Sequence, residues 1–246
     1  MKVTLEQWGI EGTVYERIVQ VLLYVTVFLV PIFYLPWTSS VLEYNKQILL
    51  VAAASVGLIV WLLGVVVTGK LTMRRTPVDK GILAVLVATV IATGFSMVHA
   101  KSIFGLSVSL SSSLVSVLSL SVLYFLIVNT LHDRGRMLRR ILMVSLGLGL
   151  LTGIAQLFGR YVLPGAFTHS QSFSTFGTVN SLGIIAALAL PLFAKLGKPG
   201  RAWSVITVLG VVASVLTVAV LNWWVLWTVA LAGMLAMIAF DAINAS

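Results

Sequence analysis

From Trp203 to Phe240 the chain runs for 38 residues without one charged side chain. As a single straight helix that run is about 57 Å long, nearly twice the ~30 Å hydrocarbon core of a bilayer. It must therefore fold back on itself. Leu221-Asn222-Trp223-Trp224 is the expected turn, because indole rings favour the membrane interface and asparagine tolerates a turn.

The same reading extends to the rest of the chain. Of its 246 residues, 59% are hydrophobic and 9% charged, against about 25% charged in an ordinary soluble domain. So few charges cannot build a water-facing surface, and most of the exterior must face lipid. The expected fold class is all-α: a polytopic transmembrane helical bundle of about eight spans. They are read at about 18–35, 48–68, 82–98, 110–130, 141–158, 179–196, 203–221 and 223–240. Residues 1–17 form a cytoplasmic or interfacial N-terminal segment, 18–240 the membrane domain and 241–246 a short cytoplasmic tail. Val3–Ile18 carries Leu5, Trp8 and Val14 among Glu6, Glu11 and Glu16, an arrangement compatible with a helix lying in the interface. No small-residue cleavage site follows the first apolar run, so the first span is expected to be retained.

The net charge of +9 has a topological meaning rather than a nucleic-acid one. The basic residues sit in clusters between apolar runs instead of along one polar face. With both termini cytoplasmic, 13 of the 16 fall inside, in groups such as Lys70, Arg74, Arg75 and Lys80, or Arg134, Arg136, Arg139 and Arg140. Lys46, Lys101 and Arg160 are left outside. That asymmetry is the positive-inside pattern and sets the orientation.

Apart from Lys195 at the cytoplasmic end of the sixth, no predicted span contains Asp, Glu, Lys or Arg, which argues against a proton-coupled transporter, a pump or a voltage sensor. Cysteine is absent, removing disulfide, thiolate and cysteine–metal chemistry, and His99, His132 and His169 lie too far apart for a metal-ligand spacing. No metal site and no cofactor are expected. Ser109, Ser112, Ser116 and Ser119 share one helix face, as do Ser145, Gly149 and Gly153. Close helix packing is the expected use of both faces, with a polar channel lining as the sharper alternative for the serines. Pro31 and Pro191 fall within spans and should kink or break them.

Gly159–Thr178 is the longest outside connection and is either a plain solvated link or a site. Its candidates are Arg160, His169, and the flanking Gln156 and Asn180. Each amide either caps a helix end or binds a polar head group. His99 reads as an interfacial residue, and His169 is the one side chain placed for extracytoplasmic proton transfer.

Three stretches carry a family resemblance. They are Pro36-Trp37-Thr38-Ser39-Ser40-Val41-Leu42-Glu43-Tyr44-Asn45-Lys46-Gln47, then Leu151–Gly159, then Thr175–Gly183 running into an apolar helix with Pro191. In order and spacing they resemble the O-antigen ligase and O-antigen polymerase-like superfamily of bacterial membrane proteins. The resemblance implies an inner-membrane glycosyltransferase that takes glycan from undecaprenyl pyrophosphate at the outer face, with membrane lipid, the lipid-linked glycan and partner transmembrane helices as partners. Two features depart from the family. Asn222-Trp223-Trp224 stands where relatives carry a Ser-Arg pair, and the large outside loop of relatives has no counterpart before Ser246. The expectation is thus a shortened protein or the N-terminal portion of a split system, with Arg160, Gln156 and Asn180 as its substrate-binding residues. The rivals are a non-catalytic scaffold of envelope assembly that binds partner helices through its small-residue faces, and a flippase or transporter.

Overall fold

In the computed structural model, residues 8–35, 42–69, 71, 73–105, 113–131, 134–165, 168–170, 173–195 and 201–245 are described. The helices among them are α1 (Trp8–Ile32), α2 (Glu43–Thr68), α3 (Asp79–Gly94), α4 (His99–Phe104), α5 (Leu114–Thr130), α6 (Gly135–Leu157), α7 (Val179–Ala194), α8 (Arg201–Leu221) and α9 (Trp224–Ala245). The strands β1 (Phe173–Ser174) and β2 (Gly177–Thr178) form a small antiparallel hairpin before α7.

Each apolar run read as a span holds a helix among its described residues, but not all are equally long. Among the described residues five helices have the length and apolarity to cross a membrane: α1, α2, α6, α8 and α9. At 16, 17 and 16 residues, α3, α5 and α7 reach only about 24–26 Å. Large apolar side chains such as Val66, Phe95 and Met97 stand exposed, as lipid-facing positions do. Lipid contact follows from these apolar exteriors.

From Trp8 onward the N-terminal stretch is helical and continuous with α1, and Val3–Gln7 lie outside the described residues. Once nucleated, a helix gains one hydrogen bond per residue fixed, which carries it through Gly9 and Gly12. Pro31 and Pro191 do not interrupt helices midway. They sit in the last turns of α1 and α7, so the break expected of each falls at a helix end.

The chain divides into two compact units, with the division in the first turns of α6. The first comprises residues 1–30 and 39–138, and α5 packs there against α2, α3 and α4. Its apolar core is Val19, Leu23, Ala53, Ala54, Leu123, Leu126 and Leu131. Gly57 lets α2 approach closely, since a Cβ there would lie 2.8 Å from Leu126. Two buried glutamines reach across helices. Gln20 donates from Nε2 to the Thr130 carbonyl at 3.1 Å and accepts from the Arg134 guanidinium. Gln47 Nε2 lies 3.1, 3.0 and 3.1 Å from the Phe104 carbonyl, Ser113 Oγ and Ser116 Oγ.

These contacts decide the role of the serines that are described. Ser116 is tied to Gln47, and Ser119 bonds back to the Val115 carbonyl at 2.8 Å. Both are buried as packing residues. Ser109 and Ser112 lie outside the described residues.

The second unit, residues 31–38 and 139–246, is built around α7, which packs along α8 and α9. Glycines make the room. A Cβ at Gly153 would meet Leu182 at 2.6 Å, one at Gly183 would meet Leu226 at 2.7 Å, and one at Gly210 would meet the Phe193 ring at 2.3 Å. The Ser145, Gly149 and Gly153 face of α6 is buried as expected. Arg140 stacks over Trp203 at 4.9 Å, and Lys195 pairs with Asp241 at 2.5 Å.

The fold-back falls where the charge-free run requires it. α8 ends at Leu221, α9 begins at Trp224, and Asn222 takes the left-handed region at φ 40° while its Oδ1 accepts from Trp227 Nε1 at 3.4 Å. A β-branched side chain tolerates that backbone poorly, at a cost of about 1–2 kcal/mol. Asn222→Val is therefore expected to lower the unfolding free energy by about that amount, whereas Asn222→Gly changes it by less than half as much. Thermal unfolding in detergent checks both.

Candidate functional site

The connection between α6 and α7 is built on a helix end of defined geometry. Gly159 adopts φ 73°, its N–H bonds the Gln156 carbonyl at 2.9 Å, and the Arg160 N–H bonds the Ala155 carbonyl at 2.8 Å. This paired arrangement closes α6 and sets the direction in which Arg160 leaves it. The Arg160 side chain is exposed and forms no hydrogen bond or ion pair with another described residue.

Gln156 does not cap α6. Its side chain, 1% exposed, reaches forward so that Nε2 donates to the Thr168 carbonyl at 3.3 Å. Its Oε1 is buried without a hydrogen-bond partner among the described residues. Thr168, also fully buried, turns the chain by sharing its hydroxyl between the Leu163 and Gly165 carbonyls at 2.8 and 2.6 Å. The next residue, His169, is exposed, and its ring stacks on Tyr161 with centroids 5.3 Å apart.

The connection then re-enters the protein. Phe173 meets Tyr34 edge-on at 6.3 Å, and Phe176 at the hairpin tip seats its ring on Gly149, where a Cβ would lie 2.5 Å away. Thr178 caps α7 by accepting from the Ser181 N–H at 3.3 Å. Capping, one of the two roles open to Asn180, thus belongs to Thr178, and Asn180 is exposed in the first turn.

Gln156 and His169 are linked through the loop backbone, and Arg160 is tied to them by chain adjacency to Tyr161. No recorded contact joins Asn180 to that group. His99 is exposed at the start of α4. Nothing in the sequence singles out Thr168 or Tyr161 as a site residue. Thr178 has a local signal, a hydroxyl residue directly before an apolar run.

The connection carries one exposed guanidinium and one exposed imidazole on a backbone held by the Gln156–Thr168 hydrogen bond. A guanidinium binds phosphate oxygens in bidentate fashion, and an imidazole accepts or donates a proton near neutral pH. Among the described residues no three His, Cys, Asp or Glu side chains gather as metal ligands. Comparison with protein-family models, with curated proteins and with solved structures finds nothing that matches this chain.

Proposed function

We propose that this chain is a multi-pass protein of the bacterial cytoplasmic membrane, crossing about eight times with both termini inside, and that it binds the diphosphate head of an undecaprenyl-linked glycan at the outer face. The α6–α7 connection is the binding element. Arg160 contacts the diphosphate, His169 faces the sugar side, and Gln156 positions both from below. The reading covers binding and presentation of the lipid-linked glycan in envelope polysaccharide synthesis.

The observation that supports it is a buried tether under an exposed cation. Gln156 and Thr168 hold the loop backbone through buried hydrogen bonds, while the Arg160 guanidinium stays unpaired among the described residues. The tether fixes the backbone from which Arg160 and His169 project. The scaffold alternative is weakened by the glycine faces on which it depends. Gly149, Gly153, Gly183 and Gly210 are filled by Phe176, Leu182, Leu226 and Phe193 of the same chain.

The test is binding of undecaprenyl pyrophosphate to the purified protein, followed by native mass spectrometry. Arg160→Ala is expected to weaken binding by about tenfold or more, since a charge-assisted contact contributes roughly 1.5–3 kcal/mol. Unchanged affinity in that variant, or no binding by the parent chain, removes the assignment.

A further inference from the structure

A second polar feature lies in the other unit, and the proposed diphosphate site does not use it. Between α3, α5 and the segment leading into α3 is an open-sided cavity of about 760 Å³. Its polar mouth carries Arg74, Arg75 and Lys80, all exposed, against a single carboxylate, Asp79.

That carboxylate is already engaged. Asp79 accepts from the Thr76 N–H and hydroxyl at 2.7 Å each and from the Tyr124 hydroxyl at 2.8 Å. These bonds, with Arg75 nearby, hold its carboxyl below the usual range. The segment itself is fixed, because the Arg74 N–H donates to Asn129 Oδ1 at 2.9 Å. The mouth is therefore a formed cationic rim, three positive charges to one negative.

The cavity also has a tail. A shallow, wide-open apolar trough lined by α3 alone begins at Lys80 and Leu83, which line both spaces, and continues along Ala84, Val87, Ala88 and Ile91. These positions follow a helical 3–4 spacing on one face of α3. From Lys80 to Ile91 the trough is about 16 Å long, close to the ~15 Å half-thickness of a hydrocarbon core. A cationic mouth opening on an apolar trough of acyl-chain length matches one class of ligand at both ends.

We propose that this cavity is a binding site for an anionic phospholipid, its phosphate head among Arg74, Arg75 and Lys80 and one acyl chain lying along the Leu83–Ile91 face of α3. Charge complementarity selects an anionic head over a zwitterionic one, and the trough selects a lipid over a soluble phosphate. The site belongs to the cluster expected on the cytoplasmic side, where anionic lipid is attracted by basic juxtamembrane groups. It stands independently of the diphosphate-lipid reading, which concerns the other unit.

Native mass spectrometry of the full chain tests it, with phosphatidylglycerol and phosphatidylcholine of identical acyl chains as probes. Phosphatidylglycerol is expected to bind about tenfold more tightly. Arg75→Gln with Lys80→Gln should weaken its binding by about tenfold, to the level of phosphatidylcholine, whose own affinity changes far less. Val87→Trp, which fills the trough at an exposed position, should weaken both lipids. Arg136→Gln with Arg201→Gln removes the same charge elsewhere and should leave both as they were. Equal binding of the two lipids overturns the proposal. So does an equal loss in the Arg136/Arg201 variant, an unchanged affinity in Val87→Trp, or full displacement of the lipid by soluble glycerol phosphate at matching concentration.

Discussion

Phe193→Ala is expected to cost the second unit about 2–3 kcal/mol, among the largest single-site effects in the chain. Phe193 is fully buried in the core with Leu182, Ala186, Ala213 and Ala230, and its ring lies flush on Gly210. In lipid the hydrophobic driving force between helices is small, so the loss comes from packing. A ring-sized void of roughly 100 Å³ at about 24 cal/mol per Å³ gives that magnitude. The opposite error is informative too. A methyl at Gly210 would enter the ring at 2.3 Å, so Gly210→Ala is expected to cost about 1–3 kcal/mol through overpacking. Because the two residues share one space, the double variant should be more stable than the sum of the single losses implies. Unfolding in mixed micelles gives that coupling directly.

Gln156 carries the second large effect. Gln156→Leu keeps the bulk of the side chain but leaves the Thr168 carbonyl without its donor, a loss of about 1–3 kcal/mol. Gln156→Glu at neutral pH is expected to be worse, by about 3 kcal/mol or more, because an acceptor then faces a buried carbonyl. The loss should be local. Amide exchange at Thr168 and Phe173 should quicken while α8 and α9 keep their protection. On the proposed function, diphosphate-lipid affinity should fall with it, through the loop backbone that Gln156 holds.

The parts of this structure that are legible in the sequence are those governed by local periodicity or by a single strong constraint. The 38-residue charge-free run can only fold back near Asn222, and it does. Ser145, Gly149 and Gly153 are legible as a packing face because the four-residue step needs no knowledge of the partner. The partners themselves are not legible. Nothing in the chain pairs Gln20 with Thr130, 110 positions away, or Gln47 with Ser116, 69 positions away. The same holds in the candidate site. Residue type and position single out its candidates, whereas the stack of Tyr161 on His169 and the Thr168 turn depend on how the loop closes. Asn180 shows the limit of choosing by type, since the cap open to it belongs to Thr178 two residues earlier.

The cysteine-free sequence makes the decisive measurement simple. Everything proposed for the α6–α7 connection requires that it face the outside while the basic clusters face the cytoplasm. Single cysteines placed at Val162, Ser170, Arg74 and Arg136 report this through a membrane-impermeant maleimide applied to intact cells. Labelling at positions 162 and 170 alone, with 74 and 136 reacting only after lysis, is the predicted result. Labelling at 74 or 136 in intact cells, with 162 and 170 protected, would contradict this topology and place the Arg160 group on the wrong face of the membrane.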